Sequence, residues 1–333
     1  MQVNKITSSI LKNKTVLKSL EKISDHGTSF TAGISLLLSL GLRPLSIKST
    51  PNVEKENKHY AIANSISSGL IKFGIVEAFA IPIENAVKNI DKNKLKFLNN
   101  ETLQNLTPRN YNLLTQIIKL SVGFLTAIPK SMITIALIPI VMDKLFKQKT
   151  ENNHNSETIK RYSFEGFRQK SESSYPTFTG KTNNFLSKQI AKIINNSKIQ
   201  KFVIKNESKD KNIPKHIVAG TDVLLTSAFV VNTNKSKDIK ENRKKALIYN
   251  NIISTLVTLF GGYGLDKLLK GKTKTLEIKL KKLNPKNPNI DKCIEGLNIL
   301  RPALIFGGIY YVVLPIFSTY MAERIDKFVN KNN

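Results

Sequence analysis

Two carboxylates stand inside long apolar runs, and they are the first residues to ask for chemistry. Asp222 lies within the run 216–233 and Glu77 within the run 60–83. A carboxylate on a short stem cannot reach the membrane surface from mid-helix. It must pair, take up a proton or line water, and in each case it offers a proton or a cation a place to bind. Lys72, Lys119 and Arg301 stand in comparable runs. Lys119 and Arg301 lie near run ends, where a long stem carries the charge to the interface. Lys72 and Glu77 are five residues apart, a poor match to one helix face, so they are not expected to pair. Asn64 and Asn250, the latter followed by Asn251, hold equivalent places in two runs. Buried amides of this kind hydrogen-bond between helices for about 1 kcal/mol. Asp222, Glu77, Asn64 and Asn250 together make the candidate intramembrane polar site.

Enzyme signatures are missing from the sequence. It has no GxxxxGK[ST] phosphate loop, no GxSxG elbow and no HExxH helix. His26, His59, His154 and His216 are scattered without ligand spacing, and Cys293 has no His near it. The expectation is a protein that is not an enzyme and that holds no cofactor or metal.

Composition narrows the class further. The 333 residues carry 52 Lys and Arg against 24 Asp and Glu, a net charge of +28. Only seven of the 52 are Arg. A nucleic-acid reader favours the planar Arg fork for phosphate and guanine edges, so this Lys-dominated balance argues against nucleic acid. It suits anionic lipid headgroups instead. A single Cys excludes a disulfide-stapled scaffold. Hydrophobic residues make up 41%, too many for a disordered basic chain. The mean hydropathy of −0.19 averages long apolar runs with Lys- and Asn-rich stretches.

Six of those runs, 28–47, 60–83, 113–142, 216–233, 246–269 and 298–321, approach the roughly 20 apolar residues a spanning helix needs. The fold class they predict is all-α: a polytopic membrane bundle with four to six spanning helices. Residues 1–27 read as a basic amphipathic segment: Ile6, Ile10, Leu17 and Leu20 oppose Lys14, Lys18 and Lys22, as in a helix lying among headgroups. Residues 147–213 read as a polar, basic, partly disordered linker. Within it, 184–195 has the pattern of a short amphipathic helix.

The flanking parts, 28–146 and 214–333, resemble each other. Ala32-Gly33 with Leu36-Leu37-Leu38-Ser39 matches Ala219-Gly220 with Val223-Leu224-Leu225-Thr226. Lys55-Glu56-Asn57-Lys58 matches Lys240-Glu241-Asn242-Arg243, and Asn64, Ile66, Ser68 and Leu70 match Asn250, Ile252, Ser254 and Leu256. Ile138-Pro139-Ile140 matches Leu314-Pro315-Ile316. Four matches in one order imply two related repeats, an arrangement that in membranes often places a substrate site between the copies. Three spans per repeat would invert the second copy. Lys and Arg then favour neither side, whereas a four-span arrangement, with the first and fourth runs not spanning, gives parallel repeats and a clear charge excess on the side of the termini.

The stretches 60–70, 245–254 and 307–311, including Asn64-Ser65-Ile66-Ser67-Ser68-Gly69-Leu70 and Gly307-Gly308-Ile309-Tyr310-Tyr311, resemble a group of uncharacterised multi-pass bacterial membrane proteins. The resemblance implies a membrane location, in bacteria the inner membrane, and no activity. The function expected is a transporter or channel-like protein in the lipid bilayer. The alternative is a structural membrane protein that binds anionic lipid or a partner complex through Lys-rich loops.

Overall fold

A computed structural model describes residues 2–49, 55–146, 180–207, 212–235 and 241–315. Among them there is no strand. The elements are α1 (Gln2–Lys12), α2 (Lys14–Asp25), α3 (Gly27–Leu40), α4 (Leu42–Ser49), α5 (Lys55–Lys92), α6 (Lys94–Phe97), α7 (Asn100–Asn105), α8 (Pro108–Leu120) and α9 (Val122–Phe146). After residues 147–179 follow α10 (Gly180–Ile194), α11 (Ser197–Glu207), α12 (Ile213–Lys235), α13 (Glu241–Leu283) and α14 (Ile290–Gly308), which runs into a π-helical turn at Ile309–Val313. The linker expected to be loose therefore contains two packed helices at 180–207. Residues 147–179, and the sixth run beyond 315, lie outside the described residues.

Local signals explain the breaks. Asn13 ends α1, and its side chain caps α2 by accepting from the Thr15 N–H at 2.8 Å. The expected single amphipathic helix is therefore two, and α2 alone buries Leu17, Leu20 and Ile23. Gly41 separates α3 from α4, and Pro44 falls in the first turn of α4, where its missing N–H leaves no bond unmade. Thr107 caps α8 ahead of Pro108. Pro315 cannot donate to the preceding turn and crowds it, and the wider π turn lies just ahead of it.

Six helical stretches are long and apolar enough to cross a membrane: Gly27–Ser49, Ala61–Lys92, Pro108–Leu137, Ile213–Lys235, Asn251–Leu283 and Ile290–Val313. In none of them is more than 39% of the most apolar window buried, so most of that surface faces outward. Leu37, Leu125, Phe260 and Leu268 are each at least 66% exposed. Meanwhile Glu84, Gln116, Lys119, Thr134 and Asp266 are each no more than 3% exposed. Apolar outside and polar inside reverses the pattern of a water-soluble protein and suits hydrocarbon as the solvent. The architecture is that of a multi-pass membrane protein.

The six long stretches form two three-helix units that meet where the third helix of each lies beside the first helix of the other. In the first unit α3 runs antiparallel to α5, with Thr28 at Glu84 and Ser39 at Ser65. In the second, α12 runs antiparallel to α13, with Lys215 at Asp266 and Thr226 at Thr255. Between units, α9 lies beside α12, with Gly123 against Thr221 and Ser131 bonded to Asn232 at 2.6 Å. Likewise α3 lies beside α14, with Gly27 near Ile299 and Gly307 against Leu38. Both cross-unit pairs are parallel, so the two units point the same way. This departs from the inversion expected for three spans per unit. The end of α9 and the start of α10 lie at opposite ends of the bundle, and residues 147–179 connect them.

The short helices close one end of the bundle. Leu17, Leu20 and Ile23 of α2 pack with Leu280, Cys293, Ile294 and Ile299. Ile190, Ile194 and Val203 of α10 and α11 pack with Ile90, Leu98, Leu106, Leu113 and Leu114.

Candidate functional site

The sequence-derived site residues divide between two places. Asp222 lies in the middle of α12, where Lys72 of α5 and Lys130 of α9 are the cations that act on its charge. Lys130 is 9% exposed. The Lys72 ammonium sits over the ring of Phe229, two turns beyond Asp222, at 5.3 Å from its centroid. Among the described residues no cation lies close enough to Asp222 to form an ion pair. A third cation, Arg43 of α4, lies over Tyr310 at 5.2 Å and Tyr311 at 6.0 Å, both presented by the π turn. Tyr310 lies within electrostatic reach of both Lys72 and Asp222, which joins this group to the first. Two buried polar atoms here, Arg43 Nε and Thr134 Oγ1, have no hydrogen-bond partner. Thr134 stands one turn beyond Lys130 on α9, on the same face.

Glu77 belongs elsewhere. It hydrogen-bonds Ser29 and lies near Glu84 and His26, while its Oε1 is buried without a partner. Glu84 is 1% exposed and accepts from the Thr28 and Ser29 N–H groups, both at 3.0 Å, and from the Ser29 hydroxyl at 2.8 Å. Its other contact is His26 Nδ1 at 3.1 Å. A carboxylate is thus set against the positive N-terminus of α3. Glu77, Glu84 and Asp91 recur every seven residues on α5, so they share one face. Asp91 accepts from the Tyr111 hydroxyl at 2.7 Å and lies 3.5 Å from Lys292, which pairs with Asp25 at 2.9 Å. Lys119 donates to the Ser24 carbonyl at 2.8 Å, beside Gln116, which donates to the Ser24 hydroxyl at 3.0 Å.

The remaining members and expectations sort as follows. Asn64 Oδ1 is buried on α5 without a partner. Asn250 falls on α13, and its side chain lies outside those described. Lys72 and Glu77 are not partners, as their spacing implies. Lys119 and Arg301 do not snorkel: Lys119 is 3% exposed, and the Arg301 side chain, 12% exposed, pairs with Asp266. Lys215 completes that triad at 2.6 Å, and Asp266 is the anchor common to α12, α13 and α14. Sequence reading passed over Arg43, Lys130, Glu84, Asp91 and Asp266. Two signals were present: the seven-residue carboxylate spacing on α5, and Asp266 itself within the fifth run. Nothing in the sequence assembles Arg43, Lys72 and Lys130, because they come from three separate helices.

Among the described residues no group of three His, Cys, Asp or Glu could hold a metal ion. No family model, curated protein or solved structure matches the chain.

Proposed function

We propose that this protein is a transporter or channel-like membrane protein, built by duplication, with a solute site between its two units. The observation that carries the reading is the Asp222, Lys72 and Lys130 group, drawn from helices of both units far from either end of their runs. Charges at that depth are costly and mark solute or ion paths. Matching contacts support the duplication. Ser39 and Thr226 hold matching places in the two sequences and bond Ser65 and Thr255 on the second helix of their units. The short helix pairs correspond as well. Asn196 precedes α11 and accepts from the Lys198 N–H at 3.0 Å, as Asn13 does for Thr15. α1 and α2 pack on α13 and α14, and α10 and α11 pack on α5 and α8. Each pair thus covers the second and third helices of one unit, in the same relation. Sites between such units are a recurring solution in transporters. The proposal assigns no catalytic chemistry and no cofactor, and it places the protein in an anionic bilayer, in bacteria the inner membrane.

A second reading, a scaffold on anionic lipid, draws on the exposed run Lys267, Leu268, Lys270 and Lys272 in α13, which pairs an apolar side chain with surface cations. Purified protein in liposomes separates the two. Transport predicts a solute flux that Asp222→Asn or Glu77→Gln abolishes while insertion is retained. A scaffold predicts no flux, and vesicle binding that falls when the lysines between 267 and 286 become Gln, by about 1 kcal/mol per charge near the surface.

A further inference from the structure

We infer that the polar cluster among α4, α5, α9, α12 and the π turn binds a small oxyanion, with Asp222 as the built-in counter-ion that the ligand displaces. The inference deepens the proposed transport reading and rests on it. Three cations, Arg43, Lys72 and Lys130, face a single carboxylate, so the group is positive overall. A site for a cation would reverse that ratio, because a buried positive ligand must be matched by carboxylates.

The donors are of the kind that recognise oxygen anions. Arg43 lies over two tyrosine rings, and its buried Nε–H has no acceptor. A planar guanidinium presents parallel N–H groups to a carboxylate or a phosphate. Lys72 is steered by the Phe229 ring rather than by an ion pair. Lys130 is buried one turn from Thr134, whose hydroxyl, 1% exposed, also lacks a partner. Unmade hydrogen bonds on buried donors are costly, and an anion taking bonds from them lowers that cost. Asp222 lies within electrostatic reach of Lys130, Lys72 and both tyrosines without closing an ion pair on any of them. It neutralises part of the cluster, and although Arg43 hydrogen-bonds Tyr310, its Nε and the Thr134 hydroxyl stay unpartnered. The second unit contributes Asp222, Phe229 and the tyrosines, and the first contributes the three cations. An anion bound here would therefore hold the two units together across their interface.

The test uses the full chain in nanodiscs of neutral phosphatidylcholine, at constant ionic strength. Thermal melting and equilibrium binding are measured against inorganic phosphate and against succinate, which separate a phosphate from a carboxylate ligand, with potassium and tetraethylammonium as cation probes. Saturable stabilisation by phosphate or succinate is expected. Arg43→Gln and Lys72→Gln should each weaken it by about tenfold, the size expected for one charge-assisted hydrogen bond. Lys72→Arg should retain most of the affinity, which guards against a simple folding defect. Asp222→Asn should tighten binding, because the competing carboxylate is gone. Three results would overturn the inference: no saturable response to either anion, unchanged affinity in both cation variants, or weaker anion binding in Asp222→Asn. A saturable cation response lost in Asp222→Asn would also overturn the anion class while leaving a solute site between the units standing. If neither sign of probe binds and liposomes show no flux, the transport reading falls as well.

Discussion

Ser39 and Ser65 exchange hydrogen bonds through each other's backbone: the Ser39 hydroxyl donates to the Ser65 carbonyl at 3.2 Å, and the Ser65 hydroxyl donates to the Ser39 carbonyl at 3.0 Å. Small hydroxyl residues bring α3 and α5 close enough for helix backbones to touch, as is usual where lipid leaves no hydrophobic drive between helices. A Cβ added at Gly69 would lie 1.8 Å from Ser39 Oγ, so the approach depends on glycine there. Replacing both serines by alanine should lower stability by about 1 kcal/mol, since each bond in a membrane is worth about 0.6. Unfolding of the double variant in mixed micelles measures it.

Glycine substitutions should separate packing from helix propensity. A Cβ at Gly296 would stand 2.0 Å from the Leu20 carbonyl oxygen, a backbone atom that cannot swing away. Gly296→Ala should force α2 off α14 and cost more than the 1–3 kcal/mol of ordinary overpacking, roughly stated. Gly271, on exposed α13, has nothing within 4 Å, and Gly271→Ala should stabilise by about 0.5–1 kcal/mol. Melting temperatures in one detergent should shift in opposite directions.

The triad at Asp266 should be far more sensitive to one change than to three. Asp266→Ala leaves Lys215 and Arg301 unpaired between helices, a loss of about 3–5 kcal/mol for a buried pair broken on one side. The combined Lys215→Met, Asp266→Leu and Arg301→Met variant removes the charges together and should retain most of the stability. Parallel denaturation curves of the two proteins decide it; equal losses would mean that the triad's charges do not act as a unit.

Membrane integration and topology can be read in one set of experiments. The outward apolar belt requires that the protein stay in the pellet after alkaline carbonate and need detergent for release. The end of α9 and the α12–α13 connection lie at one end of the bundle, and residues 93–107 at the other. Reporters at Ser156 and Lys237 should therefore agree, and one at Asn100 should oppose them. A further reporter at the start of α10, at Lys181, should side with Asn100. If Lys181 instead agrees with Ser156, the second unit sits inverted in the bilayer.

Helix content and the six apolar stretches were legible in the sequence, because each depends on neighbours a few residues away, while the break at Asn13 was not, since the apolar spacing continues across it. The polar helix at 184–195 was visible for the same reason, and its partner at 197–207 was hidden by a weaker pattern broken by Lys and Asn. The relative direction of the two units was not legible. It depends on which residues of the two units meet, Gly123 with Thr221, Ser131 with Asn232 and Gly307 with Leu38, all from distant segments. The site followed the same division. Asp222 and Glu77 could be singled out, since an acid in an apolar run is conspicuous by itself. That Asp222 joins three cations while Glu77 joins a ladder of acids was decided only in three dimensions. Electrostatic partnership depends on through-space distance, and sequence spacing fixes that distance only within a single helix.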